Sequence, residues 1–279
     1  MEFLGKGSKG GAVMEQAPVG TVERVIVLMR ALAEVSGSTN LKQLSDSTGL
    51  PPSTVHRLLA LLMKQRIVER GEQAQSYRVG PEYYRLASLV VSAVSTRDVA
   101  QPFMERVVQA TGETCLLMRY MKGPRKVMLE HSVDGPHQLR YFVRLYQPLS
   151  LLWGAPGRTI LAFLPQAEVD AARAQGKPSL LAGENPPDAR TLAASLRNIR
   201  EKGYAMSFGE QIGGAVGFAA PVFLGNGEVF GSLCITMPRQ RFDAAQAASI
   251  AQVLCREAAD LSTAFGHTAP LPALAQGVA

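Results

Sequence analysis

Residues 52–65 constrain this chain more than any other stretch. Val55, Leu58, Leu59 and Leu62 recur at helical spacing on one face, while Ser53, Arg57, Ala60 and Lys64 fall opposite, with Thr54 and His56 on the flanks. The apolar face must be buried, and the other face is cationic and free of acids. Just before it, Gly49-Leu50-Pro51-Pro52 makes a turn: Gly49 tolerates the positive φ that ends a helix, and Pro52 suits a first helical turn, where no amide hydrogen is needed. Residues 41–48 read as a short helix with Leu41 and Leu44 inward. Residues 21–35 read as a first helix with Val22, Ile26, Met29 and Ala33 on its apolar stripe, stopped by Gly37 and Asn40. Two short helices joined by a tight turn cannot bury both stripes alone. Packed on the first helix, they form a trihelical core that presents its last helix outward.

After that helix, Ile67-Val68-Glu69-Arg70 has strand character, residues 71–76 are a polar turn, and Tyr77-Arg78-Val79 resumes strand alternation before Gly80. Three helices followed by such a wing suit duplex DNA. Ser53, Thr54, His56 and Arg57 are the candidate contacts on the helix, His56 and Arg57 for base edges and Lys64 for phosphate. Arg70, Tyr77 and Arg78 on the wing are candidates for phosphate or sugar, which fix register without reading sequence. Charge agrees in a modest way: residues 19–80 hold eight Lys and Arg against five Asp and Glu, half of the net +6 in under a quarter of the chain.

The length of 279 residues suits two domains. An apolar fraction of 47% with 19% charged residues describes a globular chain, and no run approaches the ~18 to 20 apolar residues of a membrane span. Residues 1–18 are rich in Gly and Lys without a signal-peptide core, so a loose tail and a cytoplasmic location are expected, with no membrane partner. Cys115, Cys234 and Cys255 are odd in number and widely spaced, and His56, His131, His137 and His267 show no metal-ligand spacing. No disulfide, no metal and no cofactor are therefore expected.

Beyond the wing, residues 82–94 form an apolar helical run that joins the domains. Residues 98–110 read as a second helix with Val99, Phe103, Met104 and Val107 inward. Strands are expected over 113–121, 126–133 and 139–146, helices over 157–164 and 189–202, and strands over 204–208, 217–223 and 229–237. Asn226-Gly227 marks a hairpin between the last two strands, and residues 244–264 form a closing helix. Strand runs bracketed by helices describe an α+β layer rather than βαβ alternation. The expected organisation is a tail at 1–18, a winged helix-turn-helix at 19–80, a linker helix at 81–96, an α+β domain at 97–266 and a second tail at 267–279.

The runs Thr21-Val22-Glu23-Arg24, Leu50-Pro51-Pro52-Ser53-Thr54-Val55-His56-Arg57-Leu58-Leu59 and Tyr77-Arg78-Val79-Gly80-Pro81 resemble the N-terminal domain of the IclR family of bacterial transcription regulators. Gly112-Glu113-Thr114, Leu161-Ala162-Phe163-Leu164-Pro165, Ile199-Arg200-Glu201-Lys202-Gly203-Tyr204 and Ala219-Ala220-Pro221-Val222-Phe223 are similar to the family's effector-binding domain. The resemblance covers about residues 20–266 and implies a GAF-like C-terminal fold, operator DNA and a small-molecule effector as partners, and a homodimer or homotetramer. It also implies an effector site at Tyr141, Leu149, Trp153, Gly154, Ala155 and Pro156, with Ser207, Gly217, Cys234 and Thr236 on returning strands.

Amides at a helix N-terminus with small hydroxyl or thiol groups on alternate strand positions can hold a carboxylate or carbonyl. This chain departs from the family pattern. Bulky Trp153 and rigid Pro156 replace small residues, an acidic position is Ser207, and a common arginine is Val216. A less ionic pocket is expected, taking an apolar or aromatic effector, such as a weak acid, over a small dianion. Gly209-Glu210-Gln211-Ile212-Gly213-Gly214 lies between strands and reads as a loop able to cover that pocket. A rival reading is an enzyme with an appended helix-turn-helix, drawing on Ser150, Ser207, His131, His137, Glu130 and Glu210. No nucleophile elbow, P-loop or dinucleotide motif frames those residues, and no catalytic residue is assigned. A third reading, an adaptor using the helices for protein contacts, predicts no salt-sensitive duplex binding.

Overall fold

The computed structural model describes residues 20–35, 37–93, 95–141, 143, 147–179 and 185–269, with the backbone alone for 91–93. The chain divides between residues 94 and 95 into two compact units.

The first unit runs α1 (Thr21–Glu34), β1 (Thr39–Asn40), α2 (Leu41–Thr48), α3 (Pro52–Lys64), β2 (Val68–Arg70), β3 (Ser76–Val79) and α4 (Pro81–Ala93). Asn40 caps α2 reciprocally with Gln43, and Gly49 takes the left-handed conformation, φ +68°, that turns the chain toward α3. Val55, Leu58, Leu59 and Leu62 are buried against Leu28, Leu32 and Leu44, as the spacing in α3 requires. The apolar stripe of α1 is rotated from the expected one. Leu28 and Leu32 are buried with Val25 and Met29 packed beside them, whereas Val22 and Ile26 are 73% and 45% exposed and Ala33 is also exposed. Both stripes have helical spacing; the one carrying the leucines offers more apolar surface and takes the core. The wing is wider than a hairpin, because β1 pairs with β3 to give the order β1-β3-β2. A two-residue strand leaves no periodicity to detect.

The second unit runs α5 (Thr96–Thr111), β4 (Thr114–Met121), β5 (Lys126–Val133), β6 (Leu149–Ser150), α6 (Gly154–Ala162), α7 (Gln166–Ala174), α8 (Ala189–Lys202), β7 (Ala205–Phe208), β8 (Ala215–Phe223), β9 (Val229–Pro238) and α9 (Ala247–Ala264). Among the described residues, six strands form an antiparallel sheet in the order β6-β5-β4-β9-β8-β7. Side chains alternate between two apolar layers. Leu116, Met118, Ala205, Ala219 and Cys234 lie with α6, α7 and α8 on one side, while Cys115, Leu117, Phe218, Ala220, Leu233 and Ile235 lie with α5 and α9 on the other. This is the α+β architecture expected from the sequence.

Three expectations change. No strand occupies 139–141 or 143, and Phe142 and residues 144–146 lie outside the described residues. Helix α6 starts at Gly154, not Gly157, because the first helical turn uses no intrahelical amide hydrogen and so accepts Pro156. Helix α7 was not anticipated. Among the described residues, no helix is long and apolar enough to cross a membrane.

Phe218 is fully buried, with Tyr204 and Phe242 ring centroids 6.4 Å and 6.1 Å away. Phe218→Ala should destabilise the second unit by about 3 to 5 kcal/mol. Urea unfolding followed by the fluorescence of Trp153, the only tryptophan and in that unit, measures the loss.

Candidate functional site

Helix α3 carries its cationic face into solvent. Ser53, His56, Arg57, Ala60 and Lys64 are exposed and Thr54 is half-buried, while the opposite face supplies the core. No acid stands in the helix, so nothing on it opposes a polyanion. On the wing, Arg70 and Arg78 are exposed. Arg78 donates to Glu69 at 2.7 Å and lies 3.9 Å from Glu72, so part of its charge is already countered. Tyr77 corrects the sequence expectation: it is 4% exposed, and its ring belongs to the core, covered by the Arg70 guanidinium 4.5 Å above its centroid. Its strand position turns it inward beneath Arg70, away from phosphate. Arg66, exposed in the turn after α3, is a cation that periodicity did not single out.

In the second unit a cavity of about 260 Å³ opens between the start of α6 and the sheet. Register explains its floor. Ser207 pairs with Gly217 and Gly217 with Thr236, while Ala219 pairs with Cys234 and Cys234 with Leu116, so two rows cross β7, β8, β9 and β4 on the α6 side. Small residues in those rows leave room. Of the residues assigned from sequence, Leu149, Gly154, Pro156, Ser207, Gly217, Cys234 and Thr236 line the cavity. Tyr141, Trp153 and Ala155 do not. The Trp153 indole donates to the Lys177 carbonyl at 3.0 Å and faces an adjacent cavity. Ala155 is fully buried beneath its helix, and the Tyr141 hydroxyl lies near Gly214. Val216 is buried on the opposite face of the sheet, so the missing arginine at that position leaves the cavity lining unchanged.

The helix N-terminus is already satisfied. Gly154 N–H donates to the Glu210 carboxylate at 3.0 Å, Ala155 N–H donates to Ser207 Oγ at 2.9 Å, and Pro156 has no N–H. Glu210 also pairs with Arg158, both side chains about four-fifths buried. At the other end, Arg200 donates to the carbonyl of Ala162 at 2.7 Å, so α6 meets a negative charge at its start and a positive charge at its finish. Gly209, Glu210, Gln211 and Ile212 of the glycine-rich loop line the cavity with Val143 and Gln147. The role of Glu210 was not readable from sequence: two residues beyond β7, it has no fixed periodicity to orient it.

The imagined hydrolytic constellation is dispersed. Ser207 serves the Ala155 amide, His131 bonds Gln101, His137 is exposed, and Glu130 pairs with Arg119. Among the described residues, no three His, Cys, Asp or Glu side chains gather as a metal site.

Burial pushes the thiols of Cys234 and Cys255 up to about 12 and that of Cys115 well above its ordinary value, because each would have to ionise in apolar surroundings. A thiol reagent at pH 8 should find no fast-reacting cysteine in the native chain and three after denaturation. One rapidly labelled native thiol would contradict this.

Two family models match the chain: the IclR helix-turn-helix domain over residues 21–72 and the bacterial transcriptional regulator IclR C-terminal domain over residues 88–263. The transcriptional regulator BhcR of Paracoccus denitrificans is 25% identical over 92% of this chain and 91% of its own. A crystal structure of an IclR transcriptional regulator from Silicibacter sp. superposes with a TM-score of 0.72 at 24% identity, covering 90% of this chain and 98% of that one. An IclR homolog from Microbacterium hydrocarbonoxydans, complexed with 4-hydroxybenzoate, superposes with a TM-score of 0.55 at 23% identity over 87% and 97% of the two chains. With its helix-turn-helix and its α+β unit both matched, the chain belongs to the IclR family of bacterial transcriptional regulators.

Proposed function

We propose that this regulator works in the cytoplasm, without catalysis of its own, by inserting α3 into the major groove of operator DNA under the control of a small molecule held in the cavity beside α6. The observation that carries the reading is the acid-free, exposed face of α3 standing on a largely apolar three-helix core. Arg57 and His56 are assigned to base edges, Ser53, Thr54 and Lys64 to the surrounding groove and phosphates, and Arg70 and Arg78 to the backbone beside the wing. Residues 19–80 are the reader, 81–96 the linker and 97–266 the effector domain, with residues 1–18 and 267–279 as tails.

Self-association completes the reader. Val22 and Ile26 on α1 and Tyr84, Leu86, Leu89 and Val90 on α4 are exposed apolar groups in the first unit. Their burial against a second copy would give a homodimer, or a homotetramer of two such pairs. Two-fold symmetry then requires a roughly palindromic operator with half-sites ~34 Å, one helical turn, or a multiple of that apart. The effector is an apolar or aromatic catabolic metabolite with a weakly acidic group, since mostly apolar walls surround a few polar groups. An apolar cavity of ~150 Å³ already holds a benzene ring. Occupancy acts by favouring subunit arrangements that match, or fail to match, the half-site spacing.

Gel shifts on the intergenic DNA upstream of the protein's own gene test the reader. Arg57→Ala should weaken operator binding by about 1 to 3 kcal/mol and relax specificity, while Lys64→Ala should weaken binding on all sequences alike and lower the salt slope by about one. Tyr77→Phe should bind as the wild type does. Undiminished affinity of Arg57→Ala would remove α3 from the groove.

A further inference from the structure

Trp153 lines no part of the cavity assigned to the effector, but it does line a second one. That cavity, of about 520 Å³, lies between the short strand β6, the entry to α6 and residues 175–179 beyond α7. Gln147, Leu149, Glu210 and Gln211 line both cavities, whereas Lys126, Trp153 and Lys177 line the second alone. Its volume falls within the range of about 300 to 1,000 Å³ usual for small-molecule sites.

The lining has a consistent chemistry. The Trp153 N–H is already given to the Lys177 carbonyl at 3.0 Å, so what the indole can offer a ligand is apolar ring surface held in a fixed orientation. Pro148 and Pro178 add rigid apolar surface beside it. Two ammonium groups complete the site, on half-buried Lys126 and exposed Lys177. Among the described residues neither lysine forms a salt bridge. Glu210, the only acid among the described lining residues, is neutralised by Arg158. The carbonyl end of α7 offsets part of the Lys177 charge. Lys126 is partly withdrawn from water, so its attraction for an anion is screened less than that of a surface lysine, and it is the stronger anchor.

We propose that this second cavity is a binding site for a small aromatic carboxylate, with the ring against Trp153 and the two prolines and the carboxylate on Lys126 and Lys177. The site is separate from the effector cavity beside α6 and does not depend on that assignment.

Benzoate and its uncharged isostere benzamide test this on the full chain, by calorimetry and by the emission of Trp153, the only tryptophan. Benzoate should change the emission, and benzamide should need a concentration roughly tenfold or more higher to do the same. Lys126→Gln should weaken the benzoate response by roughly tenfold, and Lys177→Gln by less. Neither lysine lines the first cavity, so any benzoate bound there should still be counted by calorimetry in both variants. Trp153 emission indifferent to millimolar benzoate in the wild type, which needs no variant to fold, overturns the inference. So does an unmoved benzoate response in a chain carrying both substitutions. Benzoate that binds every variant equally without touching the emission would support the first cavity and remove the second site. A response lost with the lysines, with no other benzoate bound, would support the second site and count against the first.

Discussion

A sheet that is apolar on both faces must be covered on both, and the second unit follows from that requirement. Continuous apolar runs in β8 and β9 leave neither face fit for water. Helices α5 and α9 close one side, and α6, α7 and α8 close the other. The closure is incomplete where α6 begins. There the sheet offers Gly217, Ala215 and Ser207 rather than larger side chains, and the shortfall in volume is the cavity. The cavity thus arises where packing density fails beside an oriented helix terminus.

That terminus brings the cavity lining and the capping of α6 to one place. Orphan amides of a helix must find acceptors, from a ligand, from water or from the chain. Here the chain supplies them through Ser207 on β7 and Glu210 just beyond it, so the unit has its helix capped before any effector arrives. Because Glu210 sits in the glycine-rich loop and Gly154 in the first turn of α6, their hydrogen bond ties the two segments together. Under the proposed function, only differential affinity of the effector for two arrangements can turn that tie into regulation.

Much of this was legible beforehand, for identifiable reasons. In α3, four bulky apolar residues at helical spacing admit one phase, and the exposed face followed. In the sheet, continuous apolar runs on either side of the Asn226-Gly227 turn located β8 and β9 to within two residues. In α1, two stripes of equal spacing competed, and spacing alone chose the wrong one. Tyr77 failed for a related reason: strand alternation shows that neighbours point apart, but not which side is the core. Among the site residues, those on strands fell into the cavity because register carries them there. Trp153 and Ala155 did not, because the helix starts three residues earlier than its glycine and proline content suggested. Glu210 depended on loop geometry, which no periodicity encodes.

Cys115 and Cys234 are buried and Cys255 is partly buried, so a thiol introduced at a fully exposed position reports on the outer face of α3. Ala60 is exposed in the middle of that face, and Ala167 is exposed on α7 of the other unit. The decisive measurement is the rate of maleimide labelling of Ala60→Cys and, separately, Ala167→Cys, with and without saturating operator duplex. If α3 lies in the groove, the duplex should slow labelling at position 60 by roughly tenfold or more while leaving position 167 unchanged. An unaltered rate at position 60 on fully bound protein would contradict the account.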